Sequence, residues 1–156
     1  MKHFLHIALG LMLFMTSLSV HAQSGKSGQE IVVYVTSWTE DMPAVEHVTC
    51  INYAFAQVNR TADGLVIDNE ARLKQIIELK KSKPGLKVIL SVGGWGGGRF
   101  SELAASSRNR RLFAWDCRRL IWEYGIDGID IDWEYPTQST SGISSSPDDT
   151  RNLTKL

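Results

Sequence analysis

Acidic residues crowd one short stretch of the chain, 127–136, which reads DGIDIDWEYP. Three of its carboxyl groups, on Asp130, Asp132 and Glu134, alternate with large apolar residues. This period of two is typical of a β-strand and puts the three acids on one face. Successive acids on that face would lie about 6.5–7 Å apart and would repel one another. Such crowding drives carboxyl pKa values apart and lets one acid keep its proton near neutral pH, as a general acid must.

Two other interpretations of the acidic stretch agree less well with its residues. A solvated edge strand needs only one charge, more often Lys, to prevent edge pairing, whereas Ile and Trp flank these acids as they would in a buried strand. A calcium loop of the EF-hand type carries oxygen ligands at alternate positions of a polar loop. The interleaved Ile129, Ile131 and Trp133 do not fit that pattern. We therefore predict no metal site and no cofactor.

Strands and helices alternate along the part of the chain that must position these acids. Strands are predicted at 31–36, 48–56 and 86–92 and at the acidic stretch, and helices at 69–81, at 107–124 with Ser107 as its cap, and from the start signal at 146–149. A turn is marked by Asp63-Gly64, and a glycine-rich loop follows the third strand. The alternation predicts an α/β fold with a parallel sheet, as in doubly wound sheets and (β/α)₈ barrels. Both architectures place active sites at the carboxyl ends of the strands, where the acids lie.

The composition is that of an ordinary globular domain. The formal net charge is +0, with 43% hydrophobic and 22% charged residues, and the length suggests one domain. No basic surplus points to a nucleic-acid partner, so none is predicted. Cys50 and Cys117 both fall on predicted core faces. Burial as small apolar groups is favoured over a disulfide between them.

The N-terminus has the order of a secretory signal peptide. Lys2 precedes an apolar run at 7–15 and the small-residue site Val20-His21-Ala22. The run is too short for a comfortable transmembrane span, although an uncleaved anchor is the alternative. We expect a signal peptide at 1–22, a flexible leader at 23–30 and a secreted catalytic domain at 31–156. After cleavage no membrane attachment is expected.

Four segments resemble glycoside hydrolase family 18, the chitinases and their relatives. In chain order they are Tyr34 to Trp38, Asn52 to Phe55, Ser91 to Trp95 and Asp127 to Pro136. The last contains the family's DxxDxDxE signature, and the third contains its SxGG motif followed by Trp95. The Asn52 segment is a weaker match. The segments follow the family's order, and the resemblance covers residues 31–156.

The resemblance implies a (β/α)₈ barrel whose site works by substrate assistance. Glu134 would be the general acid and later the base. Asp132 would hold the substrate's 2-acetamido group, and Asp130 would share a proton with Asp132. Asp127 and Gly128 would be structural members of the motif.

The resemblance also implies a set of substrate-binding residues. These are Tyr34, Phe55, Ser91, Gly93, Gly94, Trp95 and Tyr135. The hydroxyl groups of Tyr34 and Ser91 would flank Asp130 as hydrogen-bond donors. The rings of Phe55, Trp95 and Tyr135 would stack on the apolar faces of sugar rings. The glycines would let the backbone pass close to substrate. No Gly-Lys-Ser/Thr follows them, which disfavours a phosphate-binding loop.

The expected substrate is chitin or another oligosaccharide that contains N-acetylglucosamine. Alternatives are an endo-β-N-acetylglucosaminidase of N-glycan cores and a non-catalytic chitin-binding relative, which usually lacks the acid. A metal-dependent glycosyltransferase with an Asp-x-Asp motif is disfavoured by the strand phasing and the SxGG loop. A (β/α)₈ barrel takes about 250 residues. We therefore expect about the first four β/α units of a longer catalytic domain, with two open sheet edges, poor stability as an isolated monomer and no activity of its own.

Overall fold

The computed structural model describes residues 28–156. The predicted signal peptide and most of the predicted leader lie outside the described residues and stay predictions. The elements are β1 (Val32–Thr36), β2 (Cys50–Val58), β3 (Leu65–Ile67), α1 (Glu70–Ser82), β4 (Lys87–Gly93), α2 (Phe100–Ala105), α3 (Ser107–Tyr124), β5 (Gly128–Asp132) and α4 (Asp149–Leu153). The predicted alternation of strands and helices is confirmed from β2 onward.

Four strands form a parallel sheet in the order β1-β2-β4-β5. The fifth, β3, was not predicted. It pairs antiparallel with the end of β2, after the turn at Asp63-Gly64. A three-residue strand is too short to show a period of two. Within the described residues, β1 and β5 each have one neighbour in the sheet and form its edges.

The core lies between the sheet and its helices. Ile51 and Tyr53 on β2, and Val88, Leu90 and Val92 on β4, are fully buried there. This is the reason that β2 and β4 read as nearly continuous apolar runs, since strands of a covered parallel sheet need little polar surface. The Tyr53 hydroxyl reaches the carbonyl oxygens of Asp68 and Asn69 at 2.8 Å, at the start of α1.

Both cysteines are buried and unpaired, as predicted. Burial raises the pKa of the Cys117 thiol to about 12, and the neighbouring Asp116 contributes to the rise. Cys117 packs with Phe113 and Leu120 on the inner face of α3. It therefore acts as a small apolar group of the core.

Capping residues mark the start of the two long helices, α1 and α3, and a glycine marks the end of α3. Asn69 caps α1 by accepting a hydrogen bond from the backbone N–H of Arg72. Helix α3 is capped by Ser106, whose Oγ accepts from the backbone N–H of Asn109, so the prediction of Ser107 as the cap was wrong by one residue. Gly125 ends α3 with φ +67°, which glycine adopts without strain.

Two elements next to the acids differ from the sequence prediction. Strand β5 stops at Asp132, so Glu134 lies beyond the strand instead of within it. Trp133 leaves the sheet to stack on Phe100, with ring centroids 5.4 Å apart. Phe100 begins α2, a helix of six residues with no apolar period long enough to detect. No helix in the described part of the chain is long and apolar enough to cross a membrane.

Candidate active site

A single carboxyl oxygen, Oδ2 of Asp130, gathers donors from three other strands. It accepts hydrogen bonds from the Ser91 hydroxyl at 2.7 Å, the Tyr34 hydroxyl at 3.0 Å and the Asn52 amide at 3.4 Å. Strand register brings these groups together, because Tyr34 pairs with Asn52 and Ser91 pairs with Asp130. The donors lie on the face of the sheet opposite the core. They orient Asp130 and compensate its burial.

Asp132 follows on the same face, at the carboxyl end of β5. Burial raises the pKa of Asp132 above its ordinary value, and the nearby carboxyl groups of Glu134 and Asp130 raise it further. The backbone carbonyl of Asp132 accepts the N–H of Gly94 at 2.9 Å, which ties the end of β5 to the end of β4. Asp132 is therefore a group that retains a proton more readily than an ordinary aspartate.

Glu134 lies two residues past the strand, half-buried, where the chain enters the following loop. Its backbone carbonyl accepts the hydroxyl of Ser141 at 2.6 Å. The charge of its carboxyl group contributes to the raised pKa of Asp132. A carboxyl group next to an acid of raised pKa is an arrangement suited to general acid–base catalysis.

Asp127 lies at the opposite end of β5, away from the other three acids. Its Oδ2 accepts the backbone N–H of Val88 at 2.7 Å and pairs with the ammonium group of Lys80, also at 2.7 Å. Its own N–H donates to the Val88 carbonyl at 2.8 Å. These contacts join the starts of β4 and β5 to the end of α1. Gly128 follows, where an added Cβ would lie 3.1 Å from Ile89 Cδ1.

The glycines of the SxGG motif allow close packing behind the acids. A Cβ on Gly93 would overlap the carbonyl oxygen of Asp132 and would lie 2.9 Å from the Phe100 ring. A Cβ on Gly94 would lie 2.7 Å from the ring of Phe55. Both residues have positive φ, +112° and +81°. The backbone of β4 can therefore approach Asp132 and Phe55 only with glycine at these positions.

Besides the stack of Phe100 on Trp133, two further aromatic pairs lie at this end of the sheet. Trp38 and Phe55 have ring centroids 6.4 Å apart, and Trp95 and Tyr135 meet edge to face, also at 6.4 Å. Trp38 and Trp95 expose 69% and 66% of their surface, which makes their rings available to a ligand. Exposed aromatic faces of this kind suit the apolar faces of sugar rings.

Two residues of this region were missed as individual contributors. Asn52 was noticed only within its motif, although its amide contacts Asp130. Trp38 was noticed only as the end of the first strand segment. A polar amide in an otherwise apolar strand was a usable signal for Asn52, whereas nothing local indicated that Trp38 would face Phe55.

Within residues 28–156, no three His, Cys, Asp or Glu side chains are placed to share a metal ion. The Asp130 oxygen is instead occupied by the three protein donors. The arrangement orients the carboxyl group of Asp130, raises the proton affinity of Asp132 and leaves the carboxyl group of Glu134 partly exposed. These are the components that acid–base chemistry on a neutral ligand requires.

Comparison with known proteins adds a family match over almost all of the described chain. The model of the family "Glycosyl hydrolases family 18" matches residues 30–156. Chitinase 1 of Aphanocladium album is 32% identical over 145 residues, covering 73% of this chain and 34% of that protein. Probable chitinase 2 of Drosophila melanogaster is 35% identical over 143 residues, covering 77% of this chain and 30% of that protein. The chain thus spans about a third of the length of these relatives.

Solved structures with the same fold include the chitinase domain of the spore coat protein CotE from Clostridium difficile. It aligns with TM-score 0.78 and 37% identity over 86% of this chain and 39% of that one. A family 18 N-acetylglucosaminidase from Paenibacillus barengoltzii aligns with TM-score 0.74 and 37% identity, covering 81% and 38%. The Group IV chitinase of Ostrinia furnacalis, in complex with allosamidin, aligns with TM-score 0.72 and 28% identity. The alignment covers 81% of this chain and 38% of that one. The predicted α/β fold, part of a (β/α)₈ barrel, is confirmed.

Proposed function

This chain belongs to glycoside hydrolase family 18, and on that premise we propose that it carries the catalytic acids of a hydrolase acting on β-1,4-linked N-acetylglucosamine polymers such as chitin. The observation that supports this most is the grouping of Asp130, Asp132 and Glu134 at the carboxyl end of β5. Burial and the two neighbouring carboxyl groups in that grouping raise the pKa of Asp132. The chitinase relatives support the choice of substrate.

In the proposed reaction the Glu134 carboxyl group donates its proton to the glycosidic oxygen as the bond to the anomeric carbon breaks. The carbonyl oxygen of the substrate's own 2-acetamido group attacks that carbon and forms an oxazolinium ion, so no protein carboxylate attacks the sugar. Glu134, now ionised, takes a proton from water as the water oxygen attacks the same carbon. The oxazolinium ring opens, and the product keeps the anomeric configuration of the substrate.

The two aspartates serve the acetamido group in this proposal. Asp132 accepts a hydrogen bond from the acetamido N–H and stabilises the positive charge of the oxazolinium ion. A proton shared between Asp132 and Asp130 removes the repulsion of two adjacent carboxylates, in keeping with the raised pKa of Asp132. The exposed rings of Trp38, Trp95 and Tyr135 stack on the sugars that flank the cleaved bond.

A second candidate uses the same acids on a different polymer. An endo-β-N-acetylglucosaminidase would cut the core of N-glycans, whose sugars also carry the 2-acetamido group. The similar family 18 enzyme from Paenibacillus barengoltzii is named an N-acetylglucosaminidase, after the sugar that chitin and N-glycan cores both contain. A non-catalytic chitin-binding relative is less favoured, because Glu134 is present.

The test is the hydrolysis of a chitooligosaccharide and of an N-glycan by the full-length natural protein, with Glu134→Gln beside it. General acid–base catalysis contributes about 10²–10⁴-fold, so kcat should fall by that factor with little change in KM. Glu46→Gln is the matched control, since Glu46 is exposed on the link before β2. Product formed first as the β-anomer supports retention, and equal rates for Glu134→Gln and wild type contradict the assignment. Preference for the N-glycan supports the second candidate.

A further inference from the structure

One fully buried carboxyl group has no role in the proposed chemistry. Asp149, at the start of α4, has no exposed surface. Its Oδ1 accepts the Ser101 hydroxyl at 2.7 Å, and its Oδ2 accepts the backbone N–H groups of Ser146 at 2.7 Å and Thr137 at 3.1 Å. The three donors come from α2, from the residues before α4 and from the loop after β5. A single side chain therefore joins three segments that are separate in sequence.

The loop contact holds an unusual backbone conformation. Thr137 lies three residues after Glu134 and has φ +68°. Positive φ is a rare conformation for a β-branched residue, and it persists only where the surroundings impose it. The bond from its N–H to Asp149 is a contact that does so. Asp149 therefore holds the loop at a point close to Glu134.

Helix α2 holds the chain on both sides of Glu134. Before Glu134, Phe100 stacks on Trp133 with the rings 18° from parallel. After it, the next residue of α2, Ser101, binds Asp149, which in turn holds Thr137. The Ser141 hydroxyl also closes the loop onto the Glu134 carbonyl. The position of Glu134 thus depends on helices outside the sheet and not on β5 alone.

We propose that Asp149 is a positioning residue that sets the place of the Glu134 carboxyl group relative to Asp132. The expected effect on kcat rests on the proposed function. The expected effect on the loop at 134–146 does not depend on that function. A displacement of about 1 Å at a reacting group can cost about 10²-fold in rate. Asp149 touches no substrate and acts only through the backbone of this loop.

The variants that test it are Asp149→Asn and Asp149→Leu in the full-length protein. Asparagine keeps an oxygen for both backbone N–H groups, and its amide can donate to the Ser101 hydroxyl, which also accepts. Leucine has a similar size but accepts nothing. The matched control is Asp148→Leu, because Asp148 is the adjacent acid, is exposed and forms an ion pair with Arg151 at 3.1 Å.

Two measurements separate positioning from folding. The first is kcat and KM on a chitooligosaccharide, with kcat divided by the folded fraction from near-UV circular dichroism. Asp149→Leu should lose tenfold or more in this corrected kcat while KM changes less than about twofold, and Asp149→Asn should stay within about threefold of wild type. The second is hydrogen–deuterium exchange of peptides spanning 134–146. Their protection should fall in the leucine variant and remain in the asparagine variant and in Asp148→Leu.

The results that would overturn the proposal are distinct from failure of the proposed function. Unchanged corrected kcat in Asp149→Leu, in a protein that Glu134→Gln inactivates, overturns the positioning role and leaves the function standing. If Glu134→Gln is as active as wild type, the proposed function is wrong. Hydrogen–deuterium exchange of the peptides spanning 134–146 then decides whether Asp149 holds the loop. If Asp149→Leu does not fold, Asp149→Ala decides. It also removes the hydrogen bonds to Ser101, Ser146 and Thr137 but introduces no bulk, and an unchanged corrected kcat with unchanged loop protection overturns the proposal.

Discussion

Replacing Ser91 by alanine should destabilise the protein through Asp130. Ser91 is fully buried on β4, and its hydroxyl makes the shortest of the three hydrogen bonds to Asp130 Oδ2, at 2.7 Å. A hydrogen bond to a charged group is worth about 1.5–3 kcal/mol and one between neutral groups about 0.5–1.5 kcal/mol. Tyr34 and Asn52 still reach the same oxygen in the variant. We therefore expect a loss of about 1–2 kcal/mol in the free energy of unfolding.

The assay is urea unfolding of the full-length protein at pH 7, supported by the midpoint of thermal unfolding. For a domain of 150–250 residues, 1 kcal/mol shifts Tm by about 2–4 °C, so the shift should be about 2–8 °C. Ser82→Ala is the matched control. Its hydroxyl bonds the Leu79 carbonyl at the exposed end of α1, and its removal should change stability by no more than about 0.5 kcal/mol.

The double variant with Asp130→Ala makes the test specific. Without the carboxyl group the Ser91 hydroxyl loses its acceptor, so removing it should then cost nothing measurable or even stabilise the protein. Residues in contact commonly show interaction energies of about 0.5–3 kcal/mol. Additive effects of Ser91→Ala and Asp130→Ala would refute the reasoning, as would a Ser91→Ala protein as stable as wild type.

Two further substitutions test the neighbourhood of Asp132. Gly93→Ala should cost about 3 kcal/mol or more in unfolding free energy, because the new Cβ would overlap the Asp132 carbonyl at a positive φ. Gly85→Ala, where a Cβ meets open space, should be close to neutral. Similar losses for the two variants would contradict this explanation. Asp132→Asn should stabilise the protein at pH 7, because the folded pKa of Asp132 is raised above its ordinary value of 3.8. Ionisation of Asp132 therefore costs stability, and the cost appears as the pH rises from the unfolded pKa through the folded pKa. Because Asp132 is only partly buried, solvent screening keeps the gain within about 1 kcal/mol. The gain should vanish below about pH 3.8, and a gain of equal size in urea unfolding at pH 3 and pH 7 would contradict it.

Much of the region around the acids follows from short-range patterns. The period of two at Asp130 and Asp132 correctly predicted a shared face, because side chains alternate along any extended chain. The run of glycines likewise predicted the loop that follows β4. These features depend on the residues themselves and on their immediate neighbours, and a sequence displays both directly.

Other features depend on contacts between distant segments. The end of β5 before Glu134 reflects the stacking of Trp133 on Phe100, which is 33 positions earlier in the chain. The buried role of Asp149 could not be predicted either. Its position after Ser146 and Pro147 is typical of an exposed acid in a first helical turn, and only the packing of α2 against α4 buries it.

The sequence by itself determined the kinds of groups and their spacing: three acids at alternate positions of one stretch, a glycine-rich loop and a parallel α/β sheet. The tertiary structure alone decided which groups meet. Strand register brings Tyr34, Asn52 and Ser91 to one oxygen of Asp130, and two helices outside the sheet hold the loop that carries Glu134. The physical reason is that periodicity is a local property of the backbone, whereas register and helix packing arise from hydrogen bonds and burial between residues far apart in the chain.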